Sequence, residues 1–274
     1  MNPVITSRQN TLVKYVRSLR DKKKRDREKV FMVEGPKSVA EALEAGIVPK
    51  KMIISAPAEK QDAVQALVSS HGPESEVIRV AGQVMEYMSE TETPPGIIAL
   101  ISMREFSVGD IQITPSSLLV VLEEVRDPGN VGTIIRTADA FRADAVILTG
   151  GCADLYNSKV LRSAMGSVFH IPVVRDAELS ELAAFFRDRG ICCAATSLGE
   201  KAVPLDKARL SRPLAIVFGS EARGISPEMK SMSDLQVGIS MPGLAESLNV
   251  AVAAGIALYE ASRLRRSNTT QTCK

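Results

Sequence analysis

LLVVLEEVRDPGNVGTIIRTADAFRADAVIL, residues 118–148, decides the fold of the longer part of this chain. LLVVL (118–122) and AVIL (145–148) are continuous apolar runs of strand length. Between them Pro128-Gly129 makes a turn and Asn130 is placed to cap a helix over 130–142. Val131, Ile135 and Ala138 form one face of that helix, with Ile134 and Phe141 flanking. Arg136 falls off the apolar stripe, one turn after Gly132. A guanidinium so placed can bind a phosphate or make a surface ion pair.

The alternation continues toward the C-terminus. IPVV (171–174), ICCAA (191–195), LAIVF (214–218) and QVGI (236–239) read as further strands. Helices are expected over 158–167, 179–189, 226–232 and 247–265. Strands buried on both sides and separated by helices predict an α/β fold with a largely parallel sheet. Toward the N-terminus the pattern is different. A helix in the first 20 residues precedes a charged connector or helix extension, Lys22 to Lys29. VFMV (30–33), KMII (51–54), EVIRV (76–80) and GIIALI (96–101) read as strands, with a helix from Pro36 toward Gly46 and another at 60–69. The resulting division is a small α/β domain over 1–105, a linker over 106–117, a second domain over 118–267 and a polar tail over 268–274.

Composition narrows the function. The 274 residues are 45% apolar and 24% charged, which excludes a disordered chain, a collagen and a coiled coil. No apolar run approaches the roughly 20 residues that span a bilayer, so no membrane partner is expected. The opening MNPVITSRQNTLVKYVRSL has no apolar core and no cleavage site, and the expected location is cytoplasmic. Four cysteines do not make a disulfide framework here, and they read as buried structural thiols. Two histidines, His71 and His170, exclude a His-rich metal centre, and no metal is expected.

The net charge of +2 hides a basic end. Residues 1–30 hold ten Lys and Arg against three acids. Such an end suits a phosphate backbone, because each neutralised phosphate releases counterions. Arg17, Lys22, Lys23, Lys24 and Arg25 are the candidate RNA contacts. Arg263, Arg265 and Arg266 form a smaller cluster. Aromatic residues are scarce, so backbone charge and shape are expected to outweigh base stacking.

Two later stretches join 122–141 as carriers of chemistry. VFGSEARGIS (217–226) is a buried strand that ends in a loop, with Glu221 between Gly219 and Gly224. ISMPGLAESLNVAVAAGIALYEASRLRR (239–266) is a Pro-Gly loop leading into an Ala-rich helix, with Ser247 and Asn249 at its start. Each follows a strand, where ligands of open α/β sheets bind. Neither GxGxxG nor GxxxxGK[ST] is present, which counts against nicotinamide or flavin oxidoreductases and nucleotide triphosphatases.

In this order, N-x-G-x-x-x-R-T-A-x-A-F, F-G-S-E-x-x-G and S-L-N-V-A-V-A-A-G-I resemble the three motifs of the SpoU (TrmH) branch of the SPOUT RNA methyltransferases. FMVEGPKSVAEALEAG (31–46) resembles that family's small N-terminal RNA-binding domain of ribosomal-protein type. The resemblance implies a trefoil-knotted C-terminal domain, an exception to unknotted connections. It also implies a homodimer, S-adenosylmethionine as cofactor, and methyl transfer to a ribose 2′-hydroxyl of RNA, with rRNA favoured over tRNA. It carries the catalytic role to Arg136, and assigns Asn130, Glu221, Ser247 and Asn249 to shaping the site. Thr196, Ser197, Leu198, Gly219, Ile239, Met241 and Leu248 are the cofactor candidates, and His170 is expected to be structural. The alternative is an RNA-binding protein that keeps the fold without turnover.

Overall fold

A computed structural model describes residues 3–71, 75–199 and 201–270, without the side chains of His71 and 264–270. Arg265, Arg266 and Cys273 therefore lie outside the described side chains. The chain divides into two compact units. One runs through Arg104 and adds Tyr156–Phe169; the other is Glu105–Leu155 with the chain from His170 onward. Sequence pattern alone assigns residues 156–169 to the second unit.

The first unit begins with α1 (Thr11–Ser18), capped by the Asn10 side chain, and α2 (Lys22–Glu28), capped by Asp21. The basic stretch is thus two short helices with separate caps. Next come β1 (Val30–Glu34), α3 (Pro36–Glu44), β2 (Lys51–Ser55), α4 (Asp62–His71), β3 (Glu76–Val80), α5 (Gly82–Met88) and β4 (Ile97–Ser102). Helix α5 is not signalled by the sequence pattern, because its seven residues are too few for periodicity to register. It buries Val84, Met85 and Met88 in one core with Val13, Val16 and Leu19. The sheet order is β1-β4-β2-β3, with only β2 and β3 parallel. From the later stretch, Tyr156 and Phe169 bring their rings to 4.4 and 6.4 Å from that of Phe31.

The second unit holds a seven-stranded sheet. Its elements are β5 (Leu118–Leu122), α6 (Pro128–Ala140), β6 (Ala145–Thr149), β7 (Val173–Ala177), α9 (Leu179–Arg189), β8 (Cys192–Thr196), β9 (Val203–Pro204), β10 (Leu214–Phe218), α10 (Pro227–Met232), β11 (Leu235–Gly238) and α11 (Val250–Thr270). Helices α7 (Ser158–Ala164) and α8 (Ser167–His170) lie between β6 and β7. The order is β7-β6-β5-β10-β8-β11-β9, and every pairing is parallel. All carboxyl ends therefore share one edge. β5 and β10 are buried at every residue, as their unbroken apolar sequences require.

Several boundaries move for local reasons. Asp127, not Asn130, caps α6, accepting from the Asn130 N–H at 2.9 Å, so the helix begins at Pro128. The helix expected over 158–167 breaks at Met165 and Gly166, both at positive φ. Strand β7 starts at Val173 rather than 171. Helix α11 starts at Val250 rather than 247, because the Asn249 side chain accepts from the N–H groups of Ala251 and Val252 at 2.9 and 3.3 Å. Among the described residues no helix is long and apolar enough to cross a membrane, and no group of three or more His, Cys, Asp or Glu could hold a metal ion.

Candidate functional site

Three strands and one helix deliver the site. The loops after β8, β10 and β11 and the start of α11 line a cavity of about 590 Å³ at the carboxyl edge. That volume lies within the usual range for small-molecule sites, roughly 300–1,000 Å³. Thr196, Ser197 and Leu198 line it from β8, Gly219 and Glu221 from β10, Ile239 and Met241 from β11, and Ser247, Leu248 and Asn249 from the approach to α11. All seven residues expected around the cofactor are thus brought together, with three of the five expected to shape the chemistry.

The cavity is shaped by backbone. A Cβ built on Gly219 would sit 2.4 Å from the Gly224 carbonyl carbon and oxygen, so only glycine fits. Gly224 itself has φ +66°, and its N–H reaches the Ser220 carbonyl at 2.7 Å, closing a tight turn. The Thr196 hydroxyl donates to the Val217 carbonyl at 2.9 Å, so this side chain ties β8 to β10. Phe218, Ile225, Val237, Val250 and Ala257 make the lining largely apolar.

Asn130 does not line the cavity. Its freedom from capping lets it join the three motifs: its Nδ2 donates to Glu221 Oε1, while its Oδ1 accepts from Asn249 Nδ2 at 3.0 Å. Asn249 therefore serves two structures at once, since its own Oδ1 caps α11. Arg136 stands apart. It is exposed on α6 and does not line the cavity.

Sequence reasoning missed Glu123. This carboxylate is 5% exposed at the end of β5. It accepts from the Ser226 N–H and hydroxyl at 3.0 and 2.6 Å, and Ser226 in turn caps α10. Glu123 thereby pins the far end of the 219–225 loop. The doubled acid after an apolar strand was the available signal, but its partner lies 103 positions further along the chain.

Among the described cysteines Cys193 is buried and Cys152 and Cys192 are half-buried, and neither they nor His170 line the cavity. Burial pushes the Cys152 thiol up to about 11 and the Cys193 thiol up to about 12. His170 Nδ1 meets Asp139 Oδ2 at 3.0 Å.

In the first unit the basic candidates separate. Lys22 and Lys23 are exposed, and Lys24 is half-buried with its ammonium 2.7 Å from Glu28. Arg25 is a correction. It is 6% exposed, and its Nη1 donates to the Leu19 and Arg20 carbonyls at 2.7 Å each, closing the end of α1 rather than facing a ligand. Arg17 stacks 3.9 Å from the centre of the Tyr87 ring, and Arg8 lies over the same ring at 5.0 Å. Tyr87 sits on α5, so this aromatic support was invisible to a reading that missed the helix.

An all-parallel sheet with a cavity where its strands end, shaped by glycine and flanked by an amide–carboxylate cluster, defines an α/β enzyme of the carboxyl-edge type. Residues 117–259 match the SpoU rRNA Methylase family, and residues 10–99 match the MRM3-like substrate binding domain. The chain belongs to the SpoU family. It is 35% identical over 259 residues to the Bacillus subtilis 23S rRNA (guanosine(2553)-2′-O)-methyltransferase RlmP, covering 93% of this chain and 97% of that one. It is 30% identical to a Streptomyces viridochromogenes 23S rRNA (uridine(2479)-2′-O)-methyltransferase, covering 98% and 94%. The crystal structure of an AdoMet-bound rRNA methyltransferase from Sinorhizobium meliloti superimposes with a TM-score of 0.85 at 35% identity, covering 96% of this chain and 98% of that one.

Proposed function

We propose that this protein transfers a methyl group from S-adenosylmethionine to a ribose 2′-hydroxyl of RNA, with rRNA as the substrate. The observation that carries this reading is the Asn130 amide, which draws the three family motifs together at the rim of one cavity. The relatives named as 23S rRNA 2′-O-methyltransferases, matched over nearly their whole length, favour rRNA over tRNA.

The residues present suit the cofactor. A largely apolar cleft closed by the Gly219–Gly224 backbone contact suits an adenosine and a thioether, and no phosphate loop is needed. When bound, S-adenosylmethionine supplies an electrophilic methyl group. Gly219, Ile239 and Leu248 hold it by backbone and apolar contact, with Thr196, Ser197, Leu198 and Met241 around them. Asn130, Glu221, Ser247 and Asn249 orient the acceptor nucleotide. Arg136 offers a planar guanidinium fork, which fixes the nucleotide and stabilises charge that builds on the ribose oxygen.

A homodimer completes this scheme. Val252, Ile256 and Tyr259 leave an exposed apolar stripe on α11, which packs against α6, the helix of Arg136. A second copy seated there would cover the stripe and carry its own Arg136 toward the neighbouring cavity. A trefoil knot is part of the same reading. Support comes from β11, which enters the sheet between β8 and β9, two strands that loop 197–202 joins.

Incubation of the purified protein with methyl-labelled S-adenosylmethionine and unmodified rRNA tests the proposal. Label should appear in alkali-resistant dinucleotides, the mark of a blocked 2′-hydroxyl. RNA binding without any transfer would instead identify a non-catalytic member of the fold.

A further inference from the structure

Glu124, at the carboxyl edge beside the cavity, has a backbone conformation that side-chain-bearing residues rarely adopt. Its φ is +51°. The conformation is held from several sides. The Glu124 N–H meets the Thr149 hydroxyl at 3.3 Å, and its side chain lies over Gly151, where a Cβ would stand 3.3 Å from Glu124 Cγ. Backbone strain that the surroundings fix in place is found at functional positions, which makes the contacts of this side chain worth following.

What the strain achieves is the placing of one carboxylate oxygen between two arginines from different loops. Arg126 Nη2 lies 2.7 Å from Glu124 Oε2, and Arg223 Nη1 lies 4.0 Å from the same oxygen. Both guanidinium side chains remain largely open to solvent, at 63% and 75% exposure. Exposed ion pairs of this kind contribute little to stability, so stability does not explain the arrangement. Both arginines are close in sequence to the amide cluster. Arg126 precedes Asn130 by four residues, and Arg223 follows Glu221 by two and itself lines the cavity.

We propose that Arg126 and Arg223 form a clamp for a backbone phosphate of the RNA substrate, and that Glu124 is its internal stand-in. The inference rests on the RNA methyltransferase reading above. A carboxylate and a phosphate offer the same paired acceptor oxygens to a guanidinium fork. Before RNA arrives, Glu124 keeps the two forks converged and stops them from repelling each other apart. The incoming phosphate carries the stronger charge and displaces the single oxygen they share. The clamp would fix the register of the strand without reading a base.

Binding of the full-length protein to in vitro transcribed, unmodified rRNA across a salt series tests this. Replacing both Arg126 and Arg223 by Ala should weaken binding about tenfold near physiological salt and lower the slope of log affinity against log salt by about two. Arg126→Lys should keep most of the slope while losing affinity, because charge is retained and the fork is not. Glu124→Gln should act in the opposite direction and tighten RNA binding about threefold, since it removes a competitor for the forks. S-adenosylmethionine affinity of Arg126→Ala, measured by calorimetry, should stay within about twofold of wild type.

Unchanged affinity and slope in the double variant would overturn the clamp. So would a Glu124→Gln variant that loses RNA affinity in step with the arginine variants, which is the behaviour of a structural ion pair. Loss of cofactor affinity in Arg126→Ala would also count against it, as a collapse of the edge. If wild-type protein bound no rRNA at all, the clamp and the functional reading would fall together; normal wild-type binding with indifferent variants would remove the clamp alone.

Discussion

Asn249 donates its side-chain N–H to the Asn130 carbonyl oxygen at 3.0 Å, while its own oxygen caps α11. One amide thus joins two helices separated by 119 positions in sequence. Asn249→Asp preserves an oxygen for the cap and removes the donor to Asn130. It should melt within a few degrees of wild type yet lose at least tenfold in methyl transfer. Asn249→Ala should lose the cap as well, costing about 1 kcal/mol of stability. Thermal melts and initial rates, taken on the same preparations, separate the two contributions.

Arg136→Ala should abolish methyl transfer and spare cofactor binding, because Arg136 does not line the cavity. Arg136→Lys should recover only a small part of the rate, since an ammonium lacks the planar fork. Single-turnover rates with calorimetric cofactor affinities provide the check. Normal turnover in Arg136→Ala would remove the residue from the mechanism.

Glu123→Ala should strip the Ser226 N–H and hydroxyl of their shared acceptor inside the protein. The expected cost is about 1–3 kcal/mol of stability, from polar groups left unpaired. Cofactor affinity should fall as well, through a loosened 219–225 loop. Denaturant titration and calorimetry measure these effects.

The basic helices make a contrast possible within four consecutive residues. Replacing Lys22 and Lys23 by Gln should lower the salt dependence of RNA binding with little change in melting temperature. Arg25→Gln should do the reverse, because its guanidinium is committed to the carbonyls of Leu19 and Arg20. Replacing Arg8 and Arg17 by Ala should weaken RNA binding more than the paired lysines do, as Tyr87 holds both guanidinium groups in place.

The two thiols raised by desolvation predict an alkaline limit. Burial raises Cys152 to about 11, against an ordinary value of 9.0. The folded state then holds a proton that the unfolded chain releases, so stability is fully present below pH 9 and declines toward pH 11. Over that window Cys152 alone accounts for a loss on the order of 2 kcal/mol. Replacing Cys152 and Cys193 by Ala should flatten the decline, as read from melting temperature against pH. Both thiols should also resist iodoacetamide at pH 8 until the protein is denatured.

The sequence was most legible where apolar runs and helices alternate without interruption. LLVVL and LAIVF declared buried parallel strands, and the placement of the motifs after strands, with the family resemblance, pointed to the carboxyl edge where the cavity lies. Legibility failed where chemistry depends on distant partners. Asn130 read as a cap because a short amide after a turn usually is one, but Asp127 already held that position. Arg25 read as a ligand contact because a run of cations carries no record of which member points inward. Glu123 was silent because Ser226, its partner, lies 103 positions further on. Tyr87 was overlooked together with the short helix that presents it.

Tyr156 and Phe169 stack around Phe31, although more than a hundred residues of chain intervene. This has a consequence for biosynthesis. A nascent chain released through Arg104 has every strand of its first sheet but lacks two aromatic walls of that sheet's packing. The core of Val13, Val16, Met85 and Leu100 can form from that stretch alone, but packing around Phe31 is completed only after β5, α6 and β6 have been made and Phe169 has emerged. That packing is timed by translation of the other half, and the first 104 residues expressed alone should expose the Phe31 face and bind more of a hydrophobic dye than the full chain does.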